Sequence, residues 1–577
     1  MDDYSFLADC WIKLTTVTHV VIRNGTVVDG TGAEERQADV LLADGRITAV
    51  MPPGSEVPGD AEVIDAAGCI VTPGFIDPHT HFDAQLWWDG AATPSSYHGV
   101  TSVVIGNCGF GVAPVPDGDE EYVLRSLEAV EEIPYSSTRA GVRFNWSTWP
   151  EYFAALGTLG LGVNVAGYVP HSLLRAAAMA GPADSLAERE EAMLGAALEA
   201  GAVGLSSSRG RNHLDANGQP MPSRLAGDEE LARLVGVVGE RVWQINVEAK
   251  GAGDAHGAAL LTAEVDRYVA MTRPRGRLSW TPFVVQPGDD TAWRTILEHN
   301  HRVNDASQRC TVAPQVSVQP MSGGIIFTGP STAGMIEGWA PAWAGYPSLT
   351  PGEKRARLAD ESFRAVLRTA PADCRRMMAP CYDRWAVSVS PSQPEVSGLT
   401  LTQLGDLNGK HPVDAMLDLA LADGLETRIT VPFVNVDEPA VLELVADPTT
   451  LVGLGDAGAH VNSITNFTYP TYLLAAIARD SGRIPLATAV RELTTRPAEV
   501  LGIPDRGAVR TGYRADICVI DLGRLAVGAV EARNDLPGGA TRLVQRATGY
   551  RAVLVNGEVV LRDDELTGTR PGELVRV

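Results

Sequence analysis

The chain has 577 residues, 45% hydrophobic and 20% charged, a composition of folded proteins rather than of disordered or coiled-coil ones. Acidic residues outnumber basic ones by 24 (71 against 47), which argues against a nucleic-acid partner, since that would need a positive face to meet phosphates. A carboxylate-bearing small molecule stays compatible with this charge, because one buried arginine can hold a carboxylate.

No apolar run reaches the length of about 18 residues that suggests a membrane span. Residues 1–20 lack the basic segment, apolar core and small-residue cleavage site of a secretory leader, so a cytoplasmic location is expected. The seven cysteines are scattered, with no CxxC pair and an odd count. They read as small buried hydrophobes rather than a disulfide framework, with Cys108 as an exception.

Residues 1–16 carry no pattern. From Thr18, "HVVIRNGTVVDG" reads as strand, Asn-Gly turn, strand, and "ADVLLADGRITAV" repeats the scheme with Asp-Gly. "AEVIDAAGCIVTPGF" follows. The same grammar returns near the other end in "ADICVID" and "YRAVLVNGEVVL", so the two ends can pair into one small β domain. Between them, short apolar strands alternate with helices, an α/β pattern. Strands are expected at 70–78, 100–107, 161–168, 202–206, 242–247, 277–284, 311–318 and 451–455, enough to close a (β/α)8 barrel. One helix is expected over 186–200, capped by Ser185 and ended by Gly201. Another is expected over 228–240, with Leu231, Leu234, Val235 and Val238 on one buried face. The stretch 321–430 breaks the repeat and reads as a lid or pocket insertion.

The sharpest motif is "GCIVTPGFIDPHTHFD". In an extended segment His79 and His81 face the same side, so both imidazoles can enter one cavity, and neutral imidazole is a standard zinc ligand. No GxGxxG fingerprint opens a nucleotide-binding unit and no P-loop occurs, so neither a nicotinamide nor an ATP cofactor is expected.

This string resembles the first-strand motif of the amidohydrolase superfamily, and its surroundings resemble the D-aminoacylase (N-acyl-D-amino-acid deacylase) branch. "TSVVIGNCGFGVAP", "VPHSLLR", "GAVGLSSSR" and "LVGLGDAGAH" are similar to that branch's successive strand signatures. The resemblance implies a distorted (β/α)8 TIM barrel, residues 70–504, plus a small β-sandwich from both chain ends, 17–69 and 505–577. It implies His79, His81, Cys108 and Asp456 as metal ligands, with Asp456 also the catalytic base. Alternatives are a buried structural cysteine for Cys108 and a turn-forming aspartate for Asp456. His171 and Arg175 fall near the barrel mouth, where Arg175 can hold a substrate carboxylate. Arg209 and His213, just beyond the fourth strand, are further substrate-binding candidates.

Two departures stand out. Where the family carries a histidine at strand five, this chain reads "VWQINVEAK"; where it carries another at strand six, it reads "LSWTPF", with Trp280 in place and so a substrate-binding candidate. One zinc ion, or another divalent metal, is therefore the simplest expectation. Glu248 or Lys250 can approach the site if the match slips by a residue. His460, four residues after Asp456, reads either as a site residue or as a capping or core histidine. The expected activity is hydrolysis of a linear amide, most simply an N-acyl amino acid. Hydrolysis of a cyclic amide or lactone, a metal lyase, and a catalytically inactive binding protein are the alternatives.

Overall fold

The computed structural model describes residues 19–180, 186–248, 253–307, 310–328, 339–377 and 379–577. The arm 1–16, Thr18, the cap assigned to Ser185, and Lys250 lie outside the described residues.

The described residues begin with β1 (His19–Val27), β2 (Arg36–Ala43), β3 (Arg46–Met51), β4 (Glu62–Asp65) and β5 (Ile70–Pro73). Asp44-Gly45 turns β2 into β3 as expected, with φ values of 50° and 72° that suit a primed turn. Asn24-Gly25 behaves differently: β1 runs through it, with only a bulge between Ile22 and Gly25. β2 on one side and β4 and β5 on the other hold β1 extended. A Cβ on Gly25 would stand 2.5 Å from Val71 Cγ2, so this glycine serves close packing against β5 rather than chain reversal.

β6 (Phe75–Asp77), β7 (Val100–Ile105), β8 (Asn164–Pro170), β9 (Gly204–Ser208), β10 (Val242–Asn246), β11 (Arg277–Thr281) and β12 (Thr311–Val312) form one parallel sheet in sequence order. Helices cover its outer face. Leu186–Glu199 and Asp228–Val238 are two of them, and the second buries Leu231, Leu234, Val235 and Val238. Burial on both faces explains why β7 carries no charged residue and ends in the apolar run Val103, Val104, Ile105. β13 (Gln315–Val316) continues the curl, with Val316 bridging Phe283.

An excursion follows. β14 (Met321–Ile326), β15 (Ala386–Val389) and β16 (Arg428–Val434) form an antiparallel sheet in the order β14-β16-β15. With its helices it encloses a separate core that includes Trp339, Trp343, Phe363, Trp385 and Met416. Within it Cys374 and Cys381 form a disulfide, which corrects the reading of these two as simple buried hydrophobes. A tight loop brings their Cα atoms to 4.8 Å, a closure that a spacing of seven residues does not announce.

The chain then returns as β17 (Leu451–Val452), which pairs in parallel with β13, and Ala457 bridges Thr80 just beyond β6. The ring closes through these short contacts, making a distorted (β/α)8 barrel.

The last strands are β18 (Ile517–Ile520), β19 (Ala526–Arg533), β20 (Arg542–Thr548), β21 (Tyr550–Val555), β22 (Glu558–Arg562) and β23 (Glu565–Leu566). β18 pairs antiparallel with β5, so both chain ends share one sheet, in the order β23-β22-β21-β18-β5-β1-β2-β3. Asn556-Gly557 makes the β21–β22 turn, with φ values of 47° and 83°. No helix among the described residues is long and apolar enough to cross a membrane.

A buried charge pair ties this sheet to the barrel. The Arg506 guanidinium donates to Asp516 and Glu573, while Asp516 also accepts from Asn164 of β8 at 3.1 Å and from the Asn556 backbone at 2.8 Å. Removing one partner leaves an uncompensated buried charge. Arg506→Ala should therefore cost about 3–5 kcal/mol in urea unfolding; a loss below about 1 kcal/mol, the range of exposed pairs, would show that the pair contributes little.

Candidate metal centre

β6 ends at Asp77, and the extended chain beyond it alternates. Thr80 turns toward β7, donating from both N–H and hydroxyl to Val104 O at 3.1 and 2.8 Å. His79 and His81 turn the other way, into the barrel mouth, and both are buried. The His81 N–H donates to Ala457 O at 2.7 Å, which brings the last strand alongside.

Each ring has one nitrogen occupied from behind. His79 Nδ1 stands 2.5 Å from Gln315 Oε1, and the same amide donates to Ser279 Oγ at 3.1 Å, which fixes its orientation. His81 Nδ1 stands 3.5 Å from Glu131 Oε1. The Nε2 atoms thus face inward. His79 Nε2 lies 3.4 Å from Cys108 Sγ and 3.2 Å from Asp456 Oδ1, and His81 Nε2 lies 3.9 Å from the same carboxylate oxygen. Cys108 and Asp456 both sit at positive φ, 55° and 46°, where tight turns after β7 and β17 aim their side chains inward.

The donor atoms of His79, His81 and Cys108 all lie within 4.8 Å of one another. Two ligands of one tetrahedral zinc-type ion stand roughly 3.3–3.6 Å apart, given metal–ligand bonds of about 2.0–2.3 Å. Two imidazoles and a thiolate so grouped, with a carboxylate oxygen within 3.9 Å of both Nε2 atoms, are a donor set that suits a divalent ion.

The opposite side of the mouth is lined by amides and a hydroxyl. Gln244 Oε1 accepts from the Cys108 N–H at 3.0 Å, and Asn246 Nδ2 reaches Cys108 Sγ at 3.8 Å. Gln244 Nε2, Asn246 Oδ1 and Thr281 Oγ1 are buried and have no partner within the protein. These are the inward residues of β10 and β11, where the family's further histidines were expected. Trp280 points outward instead, packing on Phe283 at 5.3 Å between ring centroids. Its assignment to the substrate site is thereby corrected: strand alternation puts Ser279 and Thr281, not Trp280, on the inner face.

The mouth opens into a cavity of about 260 Å³ that His213, Asn246, Thr281, Asp456 and His460 help to line. His171, Arg175 and Arg209 do not line it. His171 Nδ1 stands 2.8 Å from Ser207 Oγ, on the outward face of β9. Arg175 pairs with Glu230 at 2.8 Å, and Arg209 donates to the Ala226 carbonyl at 2.7 Å and pairs with Asp228. Glu248 is exposed and pairs with Arg211 at 2.9 Å.

Burial dominates the electrostatics. It pushes the Glu131 carboxyl up to about 8 and that of Asp77 up to about 7. Burial, reinforced by neighbouring His79, holds the His81 ring well below its ordinary value and so in the neutral form a metal requires. Around His460 burial opposes charge, but the Glu132 carboxylate at 3.2 Å overcomes it and raises the imidazole to about 9.

Sequence reasoning missed Gln315 and Glu131. A signal existed for Glu131. It lies on the buried face of the helix Glu120–Glu131, with Val123, Leu124, Leu127 and Val130, where a carboxylate is out of place unless it has a partner. Gln315 left no comparable mark.

The barrel with this donor set at its mouth defines a metal-dependent hydrolase, and the chain belongs to the amidohydrolase family, whose model matches residues 62–240 and 389–561. The N-acyl-D-glutamate deacylase of Alcaligenes xylosoxydans xylosoxydans is 28% identical, covering 96% of each chain. Among solved structures, the N-acyl-D-glutamate deacylase of Bordetella bronchiseptica, complexed with zinc and a phosphonate mimic of the tetrahedral intermediate, superposes with a TM-score of 0.64 at 25% identity, covering 97% of this chain and 99% of that one. A D-aminoacylase whose binuclear metal centre shows one-metal activation and second-metal attenuation gives 0.63 at 25% identity, with the same coverage.

Groups that orient metal-bound histidines typically contribute 10- to 100-fold in affinity. Gln315→Ala should weaken zinc binding by about 10- to 100-fold in competition with a chelating dye. An unchanged affinity would show that the His79 tautomer does not depend on this amide.

Proposed function

We propose that the protein hydrolyses a linear amide, the deacylation of an N-acyl amino acid or a related small amide, at one zinc ion held by His79, His81, Asp456 and Cys108. The observation that carries this reading is the inward convergence of both Nε2 atoms on Asp456 Oδ1, with Cys108 Sγ beside His79 Nε2. Similarity over nearly the full length to deacylases, one of them bound to zinc, supports both the reaction and the metal. A nitrogen, sulfur and oxygen donor set favours zinc over magnesium or calcium.

A divalent ion held by these residues would lower the pKa of a water molecule and polarise the scissile carbonyl. Asp456 then accepts the proton of the attacking water and passes it to the leaving nitrogen. Asn246 and Thr281 line the same cavity, and their buried Oδ1 and Oγ1 atoms, which have no protein partner, would hydrogen-bond the substrate amide. His213 and His460 line the cavity as substrate-facing groups, and a charged His460 suits a carboxylate on the substrate. Gln315 and Glu131 hold the two histidines in place.

Asp456→Asn should lower kcat by a factor of roughly 10²–10⁴, the usual contribution of a positioned acid–base group. Chelation should abolish hydrolysis of N-acetyl amino acids, and added zinc should restore it. Full activity in the metal-free protein would overturn the mechanism.

A further inference from the structure

The cavity has two unlike walls. Its floor carries His79, His81, Cys108 and Asp456, whereas its outer wall is apolar, with Val284 from the loop after β11 and Met321, Met377 and Phe433 from the excursion. Met377 stands out among these because it is 48% exposed, an apolar side chain presented to an open cavity rather than packed into a core. A methionine in that setting adapts to whatever apolar group covers it.

Met377 also lies within a covalently closed loop. The disulfide joins Cys374 to Cys381 on either side of it. The Asp373 N–H donates to Pro380 O at 3.1 Å, which ties the loop's base. The Arg375 guanidinium meets Asp290 Oδ2 at 3.4 Å and Gly288 O at 3.5 Å. Both belong to the barrel loop that also carries Val284 and Gln286 on the cavity wall. The disulfide loop therefore spans from the excursion to the barrel with Met377 at the cavity edge. Closing a short loop covalently removes conformations in which Met377 would swing away.

We propose that Met377, positioned by the Cys374–Cys381 disulfide, is a specificity-determining residue that packs on an apolar arm of the substrate, an unbranched chain extending several carbons beyond the scissile amide. This rests on the linear-amide reading above. Reduction opens the device: a dithiol is oxidised to its own cyclic disulfide, while Cys374 and Cys381 take up the two electrons and two protons and become thiols. The loop then loses its closure and the apolar arm its wall.

The test is a chain-length series on the zinc-loaded protein, with N-acetyl, N-butanoyl and N-hexanoyl derivatives of one amino acid. A matching series in the amine arm identifies which arm meets Met377. In one series kcat/KM should rise by up to about fourfold per added methylene. In Met377→Ala that rise should flatten, with about a tenfold loss for the longest substrate and less than about a twofold change for acetyl. Treatment with dithiothreitol, verified by two additional titratable thiols and an unchanged zinc content, should raise KM for the long substrates and leave kcat intact. The Cys374→Ser/Cys381→Ser double variant should do the same without reductant. Equal chain-length dependence in wild type and Met377→Ala would overturn the assignment of Met377. An unchanged KM after verified reduction would overturn the role of the disulfide. If zinc-loaded wild type cleaves no member of either series, the linear-amide reading fails and this inference with it.

Discussion

The barrel closes where the His81 N–H meets the Ala457 carbonyl, at 2.7 Å, and where Thr80 bridges Ala457. This one contact between the first and last barrel strands brings residues 81 and 457, 376 positions apart, within hydrogen-bonding reach. β17, which pairs with β13, is only two residues long. Because side chains alternate along an extended segment, fixing Thr80 outward against Val104 forces His79 and His81 inward. The same seam delivers Asp456, one residue before Ala457, to the two Nε2 atoms. The geometry of the site is a by-product of ring closure.

The rest of the neighbourhood serves to keep that geometry single-valued. Gln315 is held by Ser279 and in turn holds His79, and Glu131 backs His81. Gln244 pins the backbone at Cys108, a residue already confined to positive φ. Side chains locked in this way lose little freedom when a ligand arrives, the usual route to a precise catalytic constellation. On the far side of the mouth the residues change character. Gln244, Asn246 and Thr281 offer amide and hydroxyl groups, which are weak ligands for zinc but good partners for an amide substrate. A centre with strong donors on one side only suits one ion, with the other side left to the substrate.

The fold was legible wherever pattern and physics coincide. The continuous apolar strands, the amphipathic helix Asp228–Val238 and the strand pairs at both chain ends were all visible, because burial imposes its period on the sequence. Asn24-Gly25 misled because the same dipeptide serves a turn and a bulge, and only the neighbouring strands decide between them. The histidine pair was legible because two residues suffice to define a shared face. Trp280 was misplaced because motif resemblance carries no sense of inward and outward; the strand does, and it offers Thr281 instead. His171, Arg175 and Arg209 follow strand ends, but their side chains meet Ser207, Glu230 and the Ala226 carbonyl and do not line the cavity. Gln315 could not have been found, since its role depends on a contact 236 residues away.

The most direct measurement is the number of divalent ions bound per chain, read by elemental analysis and by anomalous scattering from crystals of the zinc-loaded protein. One ion, between His79, His81, Cys108 and Asp456, is expected, with no second peak beside Asn246 and Thr281. Two ions in the barrel mouth, or none with zinc in excess, would contradict a centre built from one side only.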